Sequence, residues 1–344
     1  MLKFSDIFGQ NYAIKTLLDA YESDRLAHGL IFSGPVGVGK STTAKALAGL
    51  FLCEKPKKSQ PCEKCESCRA IATDAHPDFH VILKEMIRLY DKTGKSKGTT
   101  LSINVIKPEL IEKVGRKAVM GTGKVFVIEQ ADYMESAAQN CMLKTLEEPP
   151  GRTLIILITD QPGALLPTIR SRCQLVRFVP LSSNLVNEKL REHGIDAATA
   201  NAASELADGS LGLALKWIED GVVTAAAELL EQLGTLLNGK PATRLQDWFK
   251  KAADAYAEKQ LARDELASKD QAAREGLALY LRIASEHIRR LLAQTDDAER
   301  LEQLTVAIDA FHETAANLDA NVSIPLSFQQ LSVALERALI PSTK

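Results

Sequence analysis

Gly34-Pro35-Val36-Gly37-Val38-Gly39-Lys40-Ser41 fits the pattern G-x-x-x-x-G-K-[ST]. Glycines at this spacing let the backbone curl until successive N–H groups point inward at phosphate oxygens. A helix opening at the loop adds a field that favours anions. Lys40 is then placed to reach the β- and γ-phosphates of a nucleotide, and Ser41 to ligate Mg²⁺. A glycine-rich turn without a ligand needs no particular neighbours. This one follows an apolar run, Leu30 to Ser33, and opens a helical one, Thr42 to Phe51, which is the context the chemistry requires.

A further apolar run, Val125 to Ile128, ends in Glu129-Gln130-Ala131-Asp132. Glu129 can serve the metal from such a strand end. Gln130 carries a carboxamide and cannot accept a proton as a general base. Nucleotide binding reads as intact and hydrolysis as impaired, unless Asp132 or another acid takes the base's place.

Cys53, Cys62, Cys65 and Cys68 give the spacing C-x8-C-x2-C-x2-C. Two successive C-x2-C steps with a fourth cysteine nearby fit a tetrahedral zinc site. Four thiolates leave no open coordination position, so the metal is read as structural. His76 and His80 are then structural histidines, and Cys141 and Cys173 buried thiols.

These residues need a scaffold. Apolar, β-branched runs recur at Leu30 to Ser33, Phe79 to Leu83, Val125 to Ile128, Leu154 to Thr159 and Leu175 to Val179, with helical stretches such as Thr42 to Phe51 and Glu135 to Glu147 between them. Strands alternating with helices imply a parallel sheet covered on both faces. After Pro180 no strand pattern remains, and apolar residues recur at helical spacing. Asp208-Gly209-Ser210 is a helix break, and Gly221 divides a small helical piece from a longer all-helical one. The expected domains are 1–180, 181–221 and 222–344. The segment from Asp91 to Gly98 is expected to be a polar surface loop.

At 344 residues the chain exceeds one core, and 45% hydrophobic content with a net charge of −2 describes a soluble globular protein without a basic whole-chain footprint. The first residues lack an apolar signal region and no run approaches a membrane span, so a cytoplasmic location is expected. Thiols there stay reduced, which favours metal ligation over disulfides.

The order of phosphate loop, cysteine knuckle and acidic strand resembles the clamp-loader branch of the AAA+ ATPases. Phe4-Ser5-Asp6-Ile7-Phe8-Gly9-Gln10 is similar to that family's F-x-D-x-x-G-Q segment beside the adenine. The stretch from Ala138 to Pro150 is similar to its A-x-N-x-L-L-K-x-L-E-E-P-P helix, with Met142 for one leucine, and Ser171-Arg172-Cys173 matches its Ser-Arg-Cys motif. Together these motifs span residues 4 to 173.

The resemblance implies an α/β P-loop (AAA+) domain with an inserted zinc module at about 53–68, a helical lid and an all-α collar. It implies ATP, Mg²⁺ and Zn²⁺ as ligands. Arg172 would be an arginine finger acting in trans on a neighbouring subunit's ATP, and Thr159 would sense the γ-phosphate of the chain's own nucleotide. The family's active members carry Asp-Glu where this chain has Glu129 and Gln130, and a lid arginine where it has Gly212. Within the family the chain therefore resembles the delta prime type of DNA polymerase III subunit more than the gamma/tau type. The implied role is in a complex of gamma/tau and delta subunits that places a sliding clamp on primed DNA. Rival readings are an active gamma/tau-type motor, an interaction module with a relic loop, and a nucleic-acid-binding zinc protein using Lys55, Lys57, Lys58 and Lys64.

Overall fold

The computed structural model describes residues 2–91, 98–120, 123–240, 245–264, 268–320 and 322–340. The expected loop at 91–98 lies mostly outside them. The chain forms two compact units, one of Met1–His193 with Ala207–Leu213, the other of Gly194–Leu206 with Ala214–Lys344.

The first unit is built on strands β1 (Gly29–Ser33), β2 (Phe79–Ile82), β3 (Lys124–Ile128), β4 (Thr153–Thr159) and β5 (Gln174–Arg177). They form one parallel sheet in the order β2-β3-β4-β1-β5. Each expected strand is present. The central β3 and β4 are buried along their whole length, which is why they read as unbroken apolar runs. The edge strands β2 and β5 are only partly buried and stop one to two residues short of the expected ends.

Alternation along the strands feeds two cores. Leu30, Phe32, Val125, Val127, Leu154 and Ile156 pack with Leu17 of α1 (Asn11–Glu22) and Leu47 of α2 (Lys40–Phe51). Ile31, Phe126, Ile128, Ile155 and Leu157 face Ala138 of α4 (Ser136–Cys141) and Leu146 of α5 (Leu143–Glu147). Between these lies α3 (Glu66–Ala72). The single helix expected from Glu135 to Glu147 is broken at Met142, whose side chain is fully buried in the second core. No Gly or Pro marks the break, and Met142 packs in the core that includes the sheet residues. The unit is completed by α6 (Pro167–Arg170), α7 (Ser183–Glu192) and the turn at Asp208 and Gly209, both at positive φ, that ends α8 (Ala197–Leu206) before α9 (Leu211–Glu219).

The second unit is helical, with no strand among its described residues. Gly221 caps α10 (Val222–Leu237) in a left-handed conformation. The following α11 (Leu245–Arg263), α12 (Lys269–Leu292), α13 (Ala298–Asp319) and α14 (Ile324–Leu339) pack consecutively, and α14 returns to α11. Phe249, Phe311 and Phe328 are buried there. The buried Asp220 carboxylate is paired with Arg263 at 2.7 Å. Among the described residues no helix is long and apolar enough to cross a membrane.

Candidate nucleotide and metal sites

The phosphate loop joins the end of β1 to the start of α2, at the carboxyl edge of the sheet, where parallel α/β folds place their ligands. Gly34 has φ +155°, and a Cβ there would lie 2.3 Å from the Phe178 carbonyl oxygen. Gly37 has φ +75° and would meet Ser210 Oγ at 2.3 Å. Only glycine fits either position. Val38 is buried while Pro35 and Val36 are not, and Gly39 forms the left-handed N-cap of α2.

Lys40 is buried at the first position of α2, and its Nζ donates to the carbonyls of Gly34 at 2.5 Å and Pro35 at 2.7 Å. Burial lowers its pKa, opposed by Asp160, Glu129 and Asp132. Glu129 follows β3. Burial raises its carboxyl pKa, opposed by a hydrogen bond from Ser41 and by the charge of Lys40. Thr159 ends β4, is in register with Ser33 and accepts the Gly34 N–H at its carbonyl. The chain fold thus brings Lys40, Ser41, Glu129 and Thr159 together. Gln130 is exposed at φ +50°. Asp160, absent from the expected set, directly follows Thr159, and an acid closing a buried strand was the available signal.

Two further contacts fix the loop. The buried Gln10 carboxamide donates to Val179 O at 2.7 Å and Val38 O at 3.3 Å and accepts from Val179 N–H at 3.0 Å. Gly212 N–H donates to Gly37 O at 3.0 Å, and a Cβ at Gly212 would stand 2.9 Å from Gly37 Cα. No side chain fits at 212 while that contact holds.

Arg172 is elsewhere. It lies between α6 and the start of β5, at the amino edge of the sheet, with about 16 Å of strand between it and the phosphate loop. Its Nε donates to Glu147 Oε1 at 2.7 Å and Nη2 pairs with the same oxygen. Nη1 donates to Thr168 O at 2.9 Å and to Ser171 Oγ at 3.3 Å. The segment leading to it is tied to α4 by the buried Gln139, which accepts from Leu166 N–H at 2.7 Å and donates to Ala164 O at 3.3 Å.

Cys53 lies just past the end of α2, Cys62 and Cys65 in the connecting loop, and Cys68 on α3. The four Sγ atoms lie within 4.8 Å of one another, and Cys62 and Cys68 are 3.9 Å apart. Sulfurs around a tetrahedral zinc are separated by about 3.8 Å, so the donor set fits such an ion. Backbone N–H groups point at three sulfurs: Cys62 N–H to Cys53 at 3.2 Å, Cys65 N–H to Cys62 and Cys68 N–H to Cys65, both at 3.4 Å. Donation from Lys64 and Cys65 draws the Cys62 thiol down to about 6, whereas burial pushes Cys53 and Cys68 up. Cys141 and Cys173 are half-buried, and burial raises both, Cys173 to about 12.

The family described as DNA polymerase III, delta subunit, matches residues 9–182. The delta prime subunit of Bacillus subtilis is 33% identical over 57% of this chain and 56% of its own length. The chain thus spans little more than half of that relative. The delta prime subunit of Pseudomonas aeruginosa is 30% identical over 65% of this chain and 69% of its own. The tau subunit of B. subtilis is 31% identical over 67% of this chain and 37% of its own. A match covering half of the chain, and taking in the phosphate loop, the cysteine knuckle and the Arg172 segment, places it: the chain belongs to the DNA polymerase III delta prime family of clamp-loader subunits.

Proposed function

We propose that this chain is a cytoplasmic AAA+ subunit of the DNA polymerase III clamp loader, which helps to place the sliding clamp on primed DNA. Its partners are gamma/tau and delta subunits, in a hetero-oligomer that reaches clamp and DNA as a complex. Residues 181–221 act as the lid and 222–344 as the collar. The chain binds ATP through Gly34 to Ser41, with Mg²⁺ held by Ser41 and Glu129 and the γ-phosphate read by Thr159. Zn²⁺ at Cys53, Cys62, Cys65 and Cys68 closes the end of α2.

Its own hydrolysis is weak or absent. Gln130 offers no base, and Gly212 offers no cation to the γ-phosphate. Arg172 serves as the arginine finger of the adjacent subunit, where a fixed guanidinium stabilises charge developing on the transferred phosphoryl group. The observation that carries this reading is the separation of Arg172 from the phosphate loop across the length of β1. A cation so placed has no route to its own nucleotide.

The test is ATP turnover by the reconstituted complex on primed DNA and clamp, with wild-type chain and with Arg172→Ala, beside the isolated chain. A silent isolated chain and a sharp loss with Arg172→Ala are expected. Asp132 and Asp160, further acids facing Lys40 at this edge, favour a second reading, an active gamma/tau-type motor in which one of them takes the base's place. Rapid turnover by the isolated chain, abolished by Lys40→Ala and insensitive to Arg172→Ala, would establish it instead.

A further inference from the structure

Ser67 is fully buried on α3, directly before Cys68. Its hydroxyl donates to Leu52 O at 2.6 Å, and Leu52 directly precedes Cys53. Ser67 Oγ also shares a 2.9 Å bond with Nε2 of the buried His76. The Asp78 N–H donates to His76 Nδ1 at 3.0 Å. With Nδ1 accepting, the neutral ring carries its hydrogen on Nε2 and donates to Ser67, whose own hydrogen is committed to Leu52. The run Asp78 to His76 to Ser67 to Leu52 therefore has one consistent direction. It is rooted in the sheet, because the Asp78 carboxylate accepts Val119 and Met120 N–H, both at 2.8 Å, and Asp78 O accepts Val125 N–H at 2.9 Å.

The run ends on the residues preceding the two buried sulfurs. Cys62 and Cys65 are half-exposed and sit in their own N–H···S turns. Cys53 and Cys68 come from different helix ends, and the Ser67 hydroxyl ties the backbone before one to the backbone before the other. A buried polar relay costs free energy unless every member is satisfied, and plain packing would be served by apolar side chains.

We propose that Ser67 and His76 are positioning residues for the metal, holding the backbones of Cys53 and Cys68 at tetrahedral spacing before zinc arrives. The inference rests on the zinc reading of the four cysteines. Outer partners that orient ligands typically change metal affinity by about 10- to 100-fold.

The experiment follows zinc transfer from the full chain to excess 4-(2-pyridylazo)resorcinol, and thermal unfolding of the zinc-loaded and zinc-free chain. The variants are Ser67→Ala, His76→Ala, their combination and His76→Gln. Each alanine variant is expected to bind zinc about tenfold more weakly. The double variant should lose no more than the larger single, as members of one relay do. His76→Gln keeps an acceptor and a donor and should retain zinc better than His76→Ala. The zinc-free chain should unfold below the wild-type temperature in each variant, because buried groups are left unpaired, and the zinc-loaded chain should lose more. Wild-type retention by both singles, independent losses in the double, or equal destabilisation of the zinc-free chain would overturn the proposal. A wild-type chain that takes up no zinc would overturn the metal reading itself, before any variant is compared.

Discussion

The two edges of the parallel sheet are chemically unlike. At the carboxyl edge, Lys40, Glu129, Asp132 and Asp160 interact around one loop, and burial shifts both Lys40 and Glu129 toward neutrality. On the proposed reading this is the edge that takes the nucleotide with its metal. At the amino edge, Arg172 stands at the surface beside Glu147, with side-chain exposures of 32% and 48%. An exposed pair of this kind contributes about 0–1 kcal/mol, so the guanidinium is readily surrendered to a stronger anion. If the proposed function holds, one sheet keeps its own nucleotide at one edge and offers a cation at the other, because strand length separates the two.

The sharpest way to break this comparison is Lys40→Ala. Removing the charge-assisted donor from the phosphate loop should weaken ATP binding by the isolated chain about 100-fold, or two to three kcal/mol, as read by titration with a fluorescent nucleotide. Unchanged affinity would mean that the carboxyl edge is not a nucleotide site. Arg172→Ala should act on the opposite edge alone. Turnover by the complex is expected to fall about tenfold or more, since finger arginines carry large shares of transition-state stabilisation. ATP affinity of the isolated chain should stay within about twofold. A parallel loss of affinity would erase the distinction between the edges.

Gly212→Arg addresses whether the carboxyl edge simply lacks the lid arginine. A Cβ at this position would stand 2.9 Å from Gly37 Cα, so the substitution must move the phosphate loop or the start of α9. Overpacking of this kind costs about 1–3 kcal/mol. Thermal unfolding should drop accordingly, ATP affinity should weaken, and the isolated chain should gain no turnover. A gain would show that the glycine is a plain loss of the sensor side chain and not half of a matched contact.

Much of the carboxyl edge was legible because its chemistry is local. Gly34 to Ser41 must follow a strand and open a helix, and the cysteine spacing encodes its own turns. The buried strands were legible because β3 and β4 are covered on both faces. Elements depending on distant packing were not. The break at Met142 falls at a buried position that no Gly or Pro marks, so the Ala138 to Leu146 sequence reads as one helix. The contact of Gly212 with Gly37 joins segments far apart in sequence, and either glycine alone suggests only a turn. His76 was legible as structural, but its partner Ser67 and the carbonyl beyond follow no spacing rule. The motif singled out Arg172 from sequence. Its pairing with Glu147 required the fold to bring the end of α5 beside α6.

Glu147→Gln is the smallest of the expected perturbations and tests how Arg172 is held. The substitution keeps shape and one acceptor oxygen but removes the charge. Nη1 still donates to Thr168 O at 2.9 Å and Ser171 Oγ at 3.3 Å, so the guanidinium keeps two of its anchors. Stability should change by less than about 1 kcal/mol, because the lost attraction is between exposed groups. If Glu147 only orients the arginine, turnover by the complex should fall less than about fivefold, the kinetic equivalent of that limit. The effect should also vanish in an Arg172→Ala background, since the carboxylate would then have nothing to orient. A loss as large as that of Arg172→Ala, or one that persists without the arginine, would give Glu147 a contact of its own across the interface. The amino edge would then present a charge pair to the neighbour in place of a single cation.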